Sequence, residues 1–186
     1  MENAIWNLLL GAKEDLTYCH EILALPKASA MNYDPSQSID QFYMTVCNLS
    51  FHNALLIISS LIDTKQAKPV SFRNWSECTD RVWLDGIAQR FEASPLKMIR
   101  DRIVAHQDAE VASIGLILGR RRGIFNDAHV TQLQGFLDEM IQFFCGLNPG
   151  GNKYSSTASF DASSAQEEVK AALEIAKPKM TRNPVI

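Results

Sequence analysis

Apolar residues return every three or four positions along most of this chain, and strict alternation over four to eight residues is absent. The first stretch places Ile5, Leu8, Leu9, Ala12, Leu16, Cys19, Ile22 and Leu23 on one helical face, and Pro26 ends it by removing a backbone donor. Residues 27–38, with Asn32, Asp34, Pro35 and Ser36, read as a loop. Ser38 is placed to cap a second helix running to about Asp63, with Phe42, Val46, Leu49, Ala54, Leu55, Ile57, Ile58, Leu61 and Ile62 as apolar positions. Its second half is apolar almost all round, which predicts the central and most buried helix.

A polar connection from Thr64 to Ser71 precedes Phe72 and Trp75, two aromatics expected to tuck back over the core. Residues 77–92 predict a shorter helix, with Val82, Trp83, Ile87, Ala88 and Phe91 on its apolar side and Gly86 as an interruption. Ser94-Pro95 is a helix start, serine as cap and proline at the first helical position. The helix it opens is expected to reach about Ile117, weakened by Gly115 and Gly119 and stopped at Arg120-Arg121-Arg122-Gly123. Asn126 or Asp127 caps the last long helix, to about Leu147, on a stripe of Val130, Leu133, Phe136, Leu137, Met140, Ile141, Phe144 and Cys145. Asn148-Pro149-Gly150-Gly151 ends it.

These elements predict an all-α protein, an up-and-down antiparallel bundle of four main helices with short accessory helices. The bundle is expected over residues 1–147 and a Ser/Thr/Ala-rich flexible linker over 148–164. Residues 165–186 are expected to form a short amphipathic helix, Gln166 to Lys177, and a loose tail.

At 186 residues the chain is long enough for one domain and a tail, and a charged share of 21% is that of an ordinary soluble protein. The net charge of −3 argues against holding nucleic acid by bulk electrostatics and confines any anion site to a local positive pocket. Cys19, Cys47, Cys78 and Cys145 are widely spaced without a Cys-x-x-Cys pair, which favours reduced thiols. The start Met1-Glu2-Asn3 lacks the basic opening of a signal peptide, and the longest apolar run, Ala54 to Ile62, is short of the about 20 residues that span a bilayer. The expectation is a cytoplasmic protein with no membrane partner.

Most catalytic signatures are missing: no Gly-rich phosphate loop, no Gly-x-Ser-x-Gly, no His-Glu-x-x-His and no Glu-x-x-His pair. His20, His52 and His129 fall on three different helices without a ligand companion at metal spacing. Arg120 to Arg122 reads first as a solvated helix end favoured by the macrodipole, with a phosphate-binding basic patch as the lesser alternative.

The helix opened by Pro95 differs, because charge lies beside its core stripe of Leu96, Ile99 and Ile103. Arg102 and His106 are four apart and share one edge of that stripe. Arg100 and His106, with five residues between them, point about 120° apart on an unbroken helix. A cation and an imidazole beside a core seam need partners or a task.

The run Arg100-Asp101-Arg102-Ile103-Val104-Ala105-His106 resembles the signature of the HEPN family (higher eukaryotes and prokaryotes nucleotide-binding), an Arg, usually a polar neighbour, and a His after four to six intervening positions. Phe51 to Asp63 similarly resembles the central helix of the HEPN branch related to abortive-infection proteins. The resemblance spans roughly residues 1–147. It implies a homodimer that sets two Arg–His motifs across a shared cleft, and a metal-independent endoribonuclease with no cofactor. RNA would be the substrate and a protein antitoxin a further partner, in a bacterial toxin–antitoxin or antiviral defence system.

In that reading His106 is the general acid/base, with an ordinary pKa of about 6.5 suited to moving a proton from the 2′-hydroxyl and returning one to the leaving oxygen. Arg100 holds the scissile phosphate, while Asp101 and Arg102 support the pair. The geometry leaves open which arginine faces His106. Two rivals stand beside it. One is a non-catalytic HEPN-like bundle that binds a nucleotide or a partner protein. The other is a structural domain in which Arg100, Asp101 and Arg102 form surface ion pairs and His106 caps a partly buried edge.

Overall fold

The computed structural model describes residues 1–24, 38–63, 68–101 and 127–147. Every regular element among them is helical, and no strand occurs in them. In chain order these are α1 (Glu2–Ala24), α2 (Ser38–Ile62), a 3-10 turn (Phe72–Asn74), α3 (Arg81–Glu92), a helical segment α4 over 95–101, and α5 (Asp127–Leu147). Among them, no helix is long and apolar enough to cross a membrane.

One continuous apolar core joins all of these elements. From α1 it takes Ile5, Leu9, Leu16 and Cys19, and from α2 Phe51, Leu55, Ile58 and Leu61. Phe72 and Trp75 come from the turn region, Leu84, Ile87 and Phe91 from α3, Leu96 and Ile99 from α4, and Leu133, Leu137 and Phe144 from α5. α1 packs against both α2 and α5, and α2 also meets the 3-10 turn, α3 and α5. The α1–α2 register is antiparallel: the Cys19 thiol donates to the Cys47 carbonyl at 3.4 Å, and four residues earlier Asp15 accepts from Asn53 Nδ2 at 2.6 Å.

The apolar half of α2 carries two serines that do not disrupt it. Ser59 and Ser60 turn their hydroxyls back to the carbonyls of Leu56 and Ile57, at 3.1 and 2.8 Å, so neither needs water. Leu49, which the periodicity assigns to the apolar side of α2, is instead 56% exposed. Val82, expected on the apolar side of α3, is 85% exposed because the first turn of α3 turns it away from the face of Leu84, Ile87 and Phe91.

Aromatic rings tie the remaining elements together. Phe144 stacks on Trp6 at 5.4 Å and on Trp75 at 5.0 Å, linking α5 to α1 and to the segment after the 3-10 turn. Phe72 meets Trp75, Trp83 and Phe143 edge-on or tilted, at 5.5 to 6.2 Å. Phe72 and Trp75 are fully buried, as their position after a polar connection predicts. The turn holding them is capped by Ser71, whose hydroxyl accepts from Asn74 N at 3.3 Å and donates to the Lys68 carbonyl.

Two boundaries differ from the pattern. α3 starts at Arg81 and not at residue 77, because Asp80 acts as its N-cap and accepts from Trp83 N at 2.9 Å. It also runs unbroken through Gly86: the cost of one helical glycine is about 1 kcal/mol and the burial of Leu84, Ile87 and Phe91 outweighs it. In α5, Phe136 and Cys145 are partly buried at the edge of the stripe and the other six predicted positions form its buried face.

The loop expected over 27–38, the first half of the Thr64–Ser71 connection, the helix expected from 102 to Ile117, Gly119 and Arg120 to Arg122 lie wholly or almost wholly outside the described residues. So do the linker at 148–164 and the helix and tail at 165–186.

Candidate functional site

Helix α4 is set by a tight corner. Ala93 ends α3, its N–H donating to the Gln89 carbonyl at 3.0 Å, and Ser94 N donates to the Phe91 carbonyl at 3.0 Å. The Ser94 carbonyl then accepts from Lys97 N at 3.2 Å, opening the next helix with Pro95 at its first position. The Ser94 hydroxyl donates to the Phe91 carbonyl at 2.7 Å, which ties the new helix to the end of the old one. Leu96 and Ile99 are buried, so the predicted stripe does anchor α4 in the core.

Anchoring Ile99 puts Arg100 at the edge of that core, with its side chain 21% exposed. The guanidinium lies over the Phe91 ring, Cζ 5.6 Å from the centroid. Nε and Nη2 donate to Asp101 Oδ1 at 3.0 and 2.8 Å, and Nη1 donates to Glu92 Oε1 at 3.0 Å. Lys97 Nζ donates to Asp101 Oδ2 at 2.5 Å and stands 4.0 Å from Glu92 Oε2. Two cations and two carboxylates therefore close into one network across the α3–α4 corner.

The electrostatics follow from those contacts. Partial burial works against the charge on Arg100, but its hydrogen bonds to the Asp101 and Glu92 carboxylates outweigh it and raise the guanidinium pKa above its ordinary value. The Asp101 carboxyl is lowered below the usual range by its hydrogen bond from Lys97, with Arg100 adding to the effect. Both groups are held ionised at neutral pH.

Of the four residues singled out from the sequence, Arg100 and Asp101 are brought together here. Arg102 and His106 lie outside the described residues. Glu92, Lys97 and Phe91 join Arg100 and Asp101, three residues that the Arg–His pattern does not include. The Lys97–Asp101 spacing of four is a helix-pair signal readable in the chain. The Glu92–Arg100 contact spans a corner that no single-helix period reveals.

The other titratable groups are dispersed. His20, His52 and His129 sit on α1, α2 and α5, and among the described residues no group of three or more His, Cys, Asp and Glu is arranged to hold a metal ion. The four thiols are free, with Cys19, Cys47 and Cys78 buried and Cys145 partly so. A hydrogen bond with Cys47, followed by burial, pushes the Cys19 thiol far above its ordinary pKa. Burial raises that of Cys145, and burial followed by the Asp80 charge raises that of Cys78 against partial relief by Arg81. Such thiols are poor nucleophiles.

Comparison of the chain with protein families, with curated proteins and with solved structures returns no match.

Proposed function

We propose that this chain is a HEPN-like, metal-independent endoribonuclease, folded as an up-and-down antiparallel four-helix bundle and acting on RNA as a cytoplasmic homodimer. His106 serves as general acid/base and Arg100 as the phosphate-holding cation, with Asp101 and Arg102 in support. A bacterial toxin–antitoxin or antiviral defence role, with a protein antitoxin as partner, completes the reading.

The observation that supports it is the placement of Arg100. Its guanidinium is partly buried, permanently charged, lies over Phe91 and is oriented by the adjacent Asp101. An arginine so fixed is suited to stabilising charge that develops on a phosphate, since little reorganisation is needed when the charge appears. The antiparallel contacts of α1 with α2 support the bundle. So do those of α3 with α5, where Trp83 meets Phe143 and Phe91 meets Phe136.

The charge balance of the same network favours a second reading. Arg100 and Lys97 are matched by Glu92 and Asp101, as in a structural clasp, and a bundle without catalysis that binds a nucleotide or a partner protein needs nothing more. Cleavage of single-stranded RNA by the purified chain in the presence of chelator separates the two. The enzyme reading expects cleavage by the wild type and at least about a hundredfold loss in His106→Ala, the usual size of a general acid/base contribution. Equal rates in the two proteins sink it.

A further inference from the structure

The two carboxylates around Arg100 are held differently. Asp101 is its chain neighbour, takes two of its donors, and is tied again by Lys97 one helical turn away. Glu92 reaches Arg100 from the far side of the Ala93–Ser94 corner, through one hydrogen bond at 3.0 Å, and its side chain is 36% exposed. Its contact with Lys97 is 4.0 Å long. Glu92 is therefore the carboxylate whose withdrawal breaks fewest contacts, and it covers the Nη1 edge of the guanidinium. A phosphodiester oxygen offers that edge the same charge and the same acceptor geometry as a carboxylate oxygen. With both carboxylates in place the network carries no net charge and exerts little pull on an anion.

We propose that Glu92 is a built-in anion competitor: its carboxylate occupies the edge of Arg100 at which a nucleic-acid phosphate binds, and phosphate binding displaces it. The proposal rests on Arg100 being the phosphate-holding residue, and it adds that the site is closed by the chain's own carboxylate in the absence of nucleic acid. Glu92 then sets affinity through Arg100 and takes no part in bond making. The exchange involves no covalent step, only one anion replacing another on the same donor.

Binding of an all-2′-deoxy oligonucleotide at low salt tests this, because the probe lacks the 2′-hydroxyl and is read by affinity alone. Glu92→Gln is expected to bind about two- to fivefold tighter than wild type, the size of one exposed ion pair. Asp85→Asn removes the same charge from α3 at its pair with Arg73 and is expected to leave affinity unchanged. In an Arg100→Ala background the gain from Glu92→Gln should vanish. On the wild type itself, the Arg100 Nε–H resonance should shift as inorganic pyrophosphate is added, which requires no variant to fold. Unchanged or weaker binding by Glu92→Gln overturns the proposal, as do an equal gain in Asp85→Asn, a gain that survives Arg100→Ala, an unmoved resonance, or no binding by either protein. Equal RNA cleavage by wild type and His106→Ala would remove the nuclease reading while leaving this comparison of affinities intact.

Discussion

The guanidinium of Arg100 rests on the ring of Phe91, 5.6 Å from its centroid, while Glu92, the next residue along, holds one of its nitrogens. One side chain of α4 thus grips two consecutive residues at the end of α3. A cation–π contact at a partly exposed site contributes about 0.5–1 kcal/mol, and an exposed ion pair about 0.2–1. Arg100→Ala should therefore lower the unfolding free energy by about 1–2 kcal/mol in urea denaturation. Arg100→Lys should recover less than half, since an ammonium cannot reach both carboxylates while lying flat on the ring. Full recovery by lysine would show that only the charge matters at this corner.

A larger effect is expected at Phe144. It is fully buried and lies between Trp6 and Trp75, so it joins α1 to the segment after the 3-10 turn. Phe144→Ala removes both stacking partners at once and leaves a cavity, and should cost about 3–5 kcal/mol. Tryptophan emission should shift to the red in the folded variant as Trp6 and Trp75 gain water. A loss under 1 kcal/mol, on the order of a surface substitution, would contradict the central place given to this ring.

Much of this architecture is legible in the chain. α2 starts at Ser38 and ends at Ile62, one residue short of the predicted Asp63, α5 ends at the predicted Leu147, and the buried faces follow the periodicity except at Leu49 and Val82. α3 departs at its start, where the Asp80 side chain accepts from Trp83 N and opens the helix at Arg81, a cap that the apolar period does not mark. The candidate site is only half legible. That Arg100 stands beside a core stripe follows from Leu96 and Ile99 at helical spacing. That Glu92 closes on it follows from a two-residue corner, and corner geometry depends on how two helices pack, which no local pattern encodes. The same holds for Phe91: its period marks it as core, and nothing in the period says that its ring packs edge-to-face with Phe136 while a guanidinium lies over it.

Native alkylation offers a simple check on the thiols. Cys19, Cys47 and Cys78 are fully buried and Cys145 is only partly so. Iodoacetamide at pH 8 should modify Cys145 first, with the other three following on the timescale of unfolding and all four reacting at once in guanidinium. Mass spectrometry of timed digests reads the order. Early modification of Cys19 would contradict its burial between α1 and α2.

Gly135 lies exposed in the middle of α5, and a methyl group added there meets nothing within 4 Å beyond its chain neighbours and the backbone of its own helical turns. Alanine loses less backbone entropy on folding than glycine, so Gly135→Ala should stabilise the protein by about 0.5–1 kcal/mol. The midpoint of urea unfolding should rise with its slope unchanged. A fall would mean that something outside the described residues packs on that face.

Asp15 and Asp101 should respond to pH with opposite signs. Burial raises the Asp15 carboxyl above its ordinary value despite hydrogen bonds from Asn53 and Ser50 that pull the other way. The folded chain therefore binds that proton more tightly than the unfolded chain. Its favourable contribution is complete below the ordinary carboxyl pKa of about 3.9 and is lost as pH rises through the folded value. For Asp101 the hydrogen bond from Lys97, then Arg100, lowers the pKa. Its contribution is present above about 3.9 and is lost as pH falls through the folded value. Melting temperatures of Asp15→Asn and Asp101→Asn from pH 2.5 to 7 read both. Relative to wild type, Asp15→Asn should gain as pH rises, and Asp101→Asn should lose as pH rises. Two variants moving in the same direction would contradict at least one of these environments, and the deviating curve identifies which.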